Sequence, residues 1–168
     1  MVIEEELIQK LRKSYEKFTQ ENCEYSTQNV QEFIKTTKET VPSNYSNKTS
    51  YLFFNAIFDV NIAKNVEKNK ILLVEMFKAL NLSSENTEID ILLNLEVFLL
   101  KKNASIGFEK YIPTILQLFY KEELLSDEVL VEWDEGKLNA KFMMDFRYDK
   151  MIDNKMKEAS RPFLDWIK

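Results

Sequence analysis

Apolar side chains recur in this chain at steps of three and four, and nowhere at a sustained step of two. Ile3, Leu7, Leu11, Tyr15 and Phe18 set the pattern. An α-helix brings such positions onto one face every 3.6 residues, whereas a strand would scatter them over both faces of a sheet. A chain built this way must bury apolar stripes by packing helix on helix.

Read onward, the first helix ends near Asn22 and keeps a charged opposite face. A second starts at Ser26 or Thr27, turns Val30, Phe33, Ile34 and Thr37 inward, and stops before Pro42, whose ring disfavours helix in the preceding residue. Ser43 to Ser50 reads as a loop, Tyr51 to Val60 and Val66 to Leu80 as two helices, and Asn81 to Asn86 as a break. From Ile89 to Leu100 the chain is apolar almost all round, interrupted by Asp90, Asn94 and Glu96, as expected of a buried helix. That stretch falls well short of the roughly 20 residues a membrane span needs. Lys101 to Ser105 reads as a connection and Tyr111 to Tyr120 as a helix with Pro113 in its first turn. Ser126 caps a short helix through Trp133, and one last helix runs from about Asp149 to Lys168. No linker rich in Gly, Pro or Ser divides the chain. The expectation is an all-α, HEAT-like α-α superhelix of stacked helix pairs, one domain over residues 1–168.

What is missing narrows function. The chain has no histidine, so the usual general base and the Ser-His-Asp and Cys-His nucleophile systems are absent. Two glycines, Gly107 and Gly136, cannot assemble a phosphate-cradling loop. Cys23 is the sole cysteine, which forbids an internal disulfide or a CxxC metal knuckle. A net charge of −5 repels a phosphate backbone and attracts basic partners. The opening MVIEEELIQK offers neither the positive charge nor the apolar run of an export signal. The expectation is a cytoplasmic binding module, not an enzyme, with no catalytic residue, cofactor, metal, membrane span or direct nucleic-acid contact.

One segment concentrates charge. Between Glu122 and Glu135 stand seven acids, Glu122, Glu123, Asp127, Glu128, Glu132, Asp134 and Glu135, with no Lys or Arg among them. On a helix from Asp127, Glu128, Glu132 and Glu135 share one face while Val129, Leu130 and Trp133 share the opposite arc. Like charges at that spacing cost a few tenths of a kcal/mol per pair, so helix stability does not account for them. A helix dipole explains Asp127 and Glu128 at the start but not Glu132, Asp134 or Glu135 at the far end. By pattern alone, a binding surface and a plain solvated face stand level. In the last helix Met156, Ala159, Phe163, Leu164, Trp166 and Ile167 fall within one arc, which places Phe163 and Trp166 in the core by spacing.

YIPTILQLFYKEELLSDEVLVEW, Tyr111 to Trp133, resembles the first aromatic and acidic box of the W2-type domain shared by translation initiation factor 5 and a few relatives. RPFLDWIK, Arg161 to Lys168, resembles the start of the second box. The resemblance covers about sixty residues at the carboxy end and implies an atypical HEAT-repeat domain. It also implies a role: binding lysine-rich boxes in the beta subunit of initiation factor 2, with further contacts to initiation factors 1, 3 and 4G during preinitiation-complex assembly. The epsilon subunit of the exchange factor for initiation factor 2, and a regulatory mimic carrying the same domain, are the alternative relatives. The GTPase-activating arginine and zinc ribbon of the family belong to an amino-terminal domain that nothing here matches. Two departures stand out. Gly136 to Asn154 is longer than expected, and the chain stops at Lys168 where the family usually continues into an acidic tail.

On this reading Tyr120, Glu122, Glu123, Asp127, Glu128, Glu132, Trp133, Asp134, Asp165 and Trp166 form the partner-binding site. The acids receive lysines while the aromatics shape and stiffen the surface. Lys64, Lys68, Lys70 and Lys78, with Lys101 and Lys102, form a second, basic surface that a solvated helix face explains equally well.

Overall fold

The computed structural model describes the backbone of residues 2–81, 83–106 and 108–168. Ten α-helices and one 3-10 helix follow one another among them, with no strand. They are α1 (Val2–Glu21), α2 (Thr27–Thr40), a 3-10 turn (Ser43–Lys48), α3 (Thr49–Ile57), α4 (Ile62–Leu80) and α5 (Ser84–Ile106). The carboxy-terminal half continues with α6 (Phe108–Lys121), α7 (Asp127–Asp134), α8 (Asn139–Met143), α9 (Lys150–Ala159) and α10 (Arg161–Ile167). Packing runs between near neighbours in the chain: α1 on α3, α2 on α4, α4 on α5 and α6, α6 on α9, and α7 on α10. This stacking of helices close in the chain is what the all-α, HEAT-like expectation requires.

Local chemistry sets several boundaries. Ser26 caps α2, its hydroxyl accepting from Asn29 N at 3.2 Å, and the helix ends at Thr40, two residues before Pro42. The core is aromatic at its centre: the Phe54 ring lies tilted 4.9 Å from Phe58 and edge-on 5.7 Å from Phe98, and Phe58 lies 6.3 Å from Phe119. Each of these side chains is buried, and burial of one such ring stabilises by roughly 1.5–3 kcal/mol. A smaller cluster of Leu7, Ile8, Leu11, Val41, Tyr51 and Leu52 joins α1 to α3.

The structure corrects several expectations. Ser43 to Ser50 is not an open loop, because the 3-10 turn fills it and α3 begins at Thr49. α4 starts a turn earlier than the apolar pattern suggests, at Ile62. Lys101 to Ser105 continues α5, since polarity alone does not end a helix where neither proline nor glycine intervenes. Pro113 lies past the first turn of α6, so the carbonyl of Glu109 loses its usual donor there. The segment 136–149 contains α8, which is too short to carry a periodic signal. The last helix is two: α9 ends at Ala159 and α10 restarts with Pro162 in its first turn, where a missing N–H costs nothing.

Candidate functional site

α6 closes in an unusual way for its sequence. Leu124 N–H donates to Phe119 O at 2.9 Å and Glu123 N–H donates to Tyr120 O at 3.0 Å, the paired pattern of a Schellman cap. The residue at its left-handed position is Glu123, with φ 60, where glycine is usual. Phe119 and Leu124, both buried, supply the apolar contact that accompanies such a cap. α7 then begins at Ser126, whose hydroxyl accepts from Val129 N at 3.3 Å and whose own N–H donates to Glu88 on α5. α7 ends in a second Schellman cap, with Lys137 N–H on Glu132 O at 2.9 Å and Gly136 N–H on Trp133 O at 3.1 Å. There Gly136 takes φ 77, and a Cβ would lie 3.1 Å from the Asn139 amide.

Between these two caps the helix divides as its spacing predicts. Val129, Leu130 and Trp133 are buried, whereas Asp127 and Glu128 are exposed and Glu132 is half-exposed. Glu123 is exposed on the preceding turn and Glu122 half-exposed beside it. Among the described residues, no Lys or Arg lies within ion-pairing distance of Glu122, Glu123, Asp127, Glu128 or Glu132.

Trp133 stiffens this surface from below through a buried polar cluster. Its indole N–H donates to Asp153 Oδ1 at 2.6 Å and Glu96 Oε1 at 3.2 Å, joining α7 to α9 and α5. Lys157 pairs with Asp153 Oδ2 at 2.8 Å and places its ammonium 5.4 Å from the Trp133 ring centroid. Burial, followed by the neighbouring Asp153, pushes the Glu96 carboxyl well above the usual range. The shift favours the protonated form of Glu96. Glu96 Oε2 is buried with no hydrogen-bond partner among the described residues.

The two box segments meet through α7 and α10. Arg161 donates to both oxygens of Asp134, at 2.6 and 2.8 Å, and Lys168 reaches Asp134 Oδ2 at 2.7 Å. The bonds from Arg161 pull the Asp134 carboxyl down to about 2. Arg161 also touches Asp165 at 3.3 Å. Beside this junction Tyr120 meets Phe163 edge-on at 5.4 Å and Trp166 at 6.4 Å. Trp166 is 73% exposed, and with Tyr120, Leu118, Lys121 and Pro162 it borders an open hollow.

The predicted site residues thus separate by role. Glu122, Glu123, Asp127, Glu128 and Glu132 form the open acidic face, and Tyr120 and Trp166 adjoin each other. Asp134 is not available to a partner, because its carboxylate is 3% exposed and held by two cations of α10 and the residue after it. Trp133 is core, whereas Trp166 turns outward against its spacing because the break at Ser160 re-aims α10. Phe163 is buried as spacing predicts. Lys64, Lys68 and Lys78 are exposed along α4 with the apolar Ile71 between them, and Lys70 sits off that stripe, half-exposed. Lys101 belongs elsewhere, over the Tyr51 ring at 4.6 Å, and the side chain of Lys102 lies outside the described residues. Sequence reasoning missed Glu96, Asp153, Lys157, Arg161 and Lys168 as partners in the site. The available signals were a carboxylate inside an apolar helix and the Asp153–Lys157 spacing of four.

Among the described residues no group of His, Cys, Asp or Glu could hold a metal ion, and no helix is long and apolar enough to cross a membrane. Residues 87–168 match a family model described as W2: eIF4-gamma/eIF5/eIF2-epsilon. A solved structure titled "The C-terminal Domain of Translation Initiation Factor 5 at low pH" matches with a TM-score of 0.59 and 23% identity. The match covers 92% of this chain and 90% of that one, and shows a shared fold. No curated protein matches.

Proposed function

We propose, from the premise that residues 87–168 form a W2 domain, that the acidic face of α7 binds lysine-rich segments of another initiation factor. The family model and the solved structure both carry names of initiation factors, so the reading concerns which surface is used and which other factor it takes. The partner is the lysine-box region in the beta subunit of initiation factor 2, in the cytoplasm, and the whole chain acts as one domain. Contacts to initiation factors 1, 3 and 4G belong to the same assembly.

One observation supports this reading most: five carboxylates of the turn and α7 have no Lys or Arg within ion-pairing distance among the described residues, while Asp134 beside them is fully engaged. Exposed ion pairs contribute about 0.2–1 kcal/mol each, so a single lysine would hardly bind and a lysine run would. Trp166 and Tyr120 add an exposed aromatic face on which an ammonium gains roughly 0.5–1 kcal/mol. Backbone-amide NMR with a lysine-box peptide tests the location. Shifts clustered at 120–132 and 163–166 support it. Shifts confined to α4 would move the site to the Lys64–Lys78 surface and overturn the reading.

A further inference from the structure

Four large apolar side chains face solvent within nine residues: Met143 at 72% exposed, Met144 at 92%, Phe146 at 52% and Met151 at 61%. Apolar surface gathered this densely marks interaction sites, and unbranched methionines adapt to varied partners.

This display is not slack chain. Arg147, in its midst, is nearly buried and donates to Asp145 Oδ1 and Oδ2, each at 2.8 Å, and to Asp90 on α5. The Asp90 carboxylate also accepts from Ser50 Oγ at 2.9 Å and Asn81 Nδ2 at 3.0 Å. The connection between α8 and α9 is thereby clamped to α3, to the end of α4 and to α5. Asp149 in turn caps α9, accepting from Ile152 N at 3.0 Å. Both acids of the connection are engaged internally.

Lysines border the patch, some of them paired with carboxylates. Lys48 lies 5.0 Å from the Phe146 centroid, and Phe146 meets Tyr51 edge-on at 5.7 Å, with Lys101 over the Tyr51 ring. Lys48 is shared with Glu4 and Lys141 with Glu85. Lys101 and Lys150 are exposed and have no carboxylate within ion-pairing distance among the described residues.

We infer that this patch is a second docking surface, apolar and bordered by the two uncompensated lysines Lys101 and Lys150, and that it takes an acidic segment carrying bulky apolar side chains. The thioethers and the Phe146 ring receive the apolar residues while Lys101 and Lys150 meet the carboxylates. The surface uses none of the α7 acids, so the two partners of opposite charge can be held at once.

The test is fluorescence anisotropy with the whole chain and a labelled amphipathic peptide of Glu, Asp, Leu and Phe. Saturable binding is expected, weakened roughly tenfold by Met144→Glu, as for loss of an anchor side chain. Lys150→Glu should weaken it roughly threefold, as for an exposed ion pair. Glu128→Gln with Glu132→Gln should leave it unchanged. Met144 is the most exposed of the four, so its exchange leaves the fold intact, which thermal unfolding confirms. Absence of saturable binding overturns the inference. So does indifference to Met144→Glu, or equal binding by a peptide whose Leu and Phe are replaced by Ser. Self-association of the chain that Met144→Glu abolishes would assign the patch to a second copy and also overturn it.

Discussion

Glu123 carries the left-handed turn that ends α6, a conformation that costs a non-glycine residue about 1–2 kcal/mol. Gly136 makes the same turn at the end of α7 without that strain. Glu123→Gly should therefore raise stability by roughly 0.5–1 kcal/mol, read from the denaturant midpoint, after the extra chain entropy of glycine is subtracted. The same exchange should weaken binding of a lysine-rich peptide, separating what the residue does for the fold from what it does on the surface. A fall in stability would show that the side chain supports the turn. Trp133→Phe keeps the ring and removes the N–H that Asp153 and Glu96 accept. It should cost about 2–3 kcal/mol, chiefly because a buried acceptor is left unpaired, and urea unfolding measures it. The sequence showed that Trp133 faces inward, since helical spacing settles that. It did not show the carboxylates beneath it, because Glu96 and Asp153 lie far apart in the chain and only packing brings them together.

At the level of elements, the junction of α7 with α10 depends on the ionised Asp134 carboxylate. Its folded value of about 2 lies below the ordinary 3.8, so the folded state binds fewer protons. Stability from this pair is present above the ordinary value and is lost as pH falls through about 2. With Arg161 42% exposed, the contribution is on the order of 1 kcal/mol after screening. Asp134→Asn should lower stability near neutral pH, with the difference from the parent shrinking at low pH in chemical denaturation. Glu96 has the opposite sign. Its raised value means the folded state holds a proton the unfolded state has released, so stability falls as pH rises above the ordinary carboxyl range. Glu96→Gln, which keeps a donor toward Asp153, should flatten that decline, and a stability profile across pH checks it. Helix existence was legible wherever an apolar stripe ran for several turns. Boundaries were legible where a capping serine marked them, at Ser26 and Ser126, and not at Ser160 or around the short α8, where a Pro–helix restart and five residues leave no periodic trace.

Across the whole molecule, charge is divided between surfaces. The acidic turn and α7 expose carboxylates, whereas the clamped Met–Phe connection exposes apolar side chains with lysines near them. The all-α architecture and the acidic face were both readable from residue spacing, and the W2 match over residues 87–168 agrees with the box segments quoted from the sequence. Which acids remain open was not readable. Asp134 and Glu128 look alike in sequence, and only the arrival of Arg161 and Lys168 from α10 distinguishes them. The most direct measurement is a calorimetric titration with a lysine-box peptide from the beta subunit of initiation factor 2, at low and at physiological salt. The parent chain should bind, with affinity that falls as salt rises, and a variant with Glu128→Gln and Glu132→Gln should lose most of it. Binding that the variant retains in full, or none by the folded parent, would contradict the account.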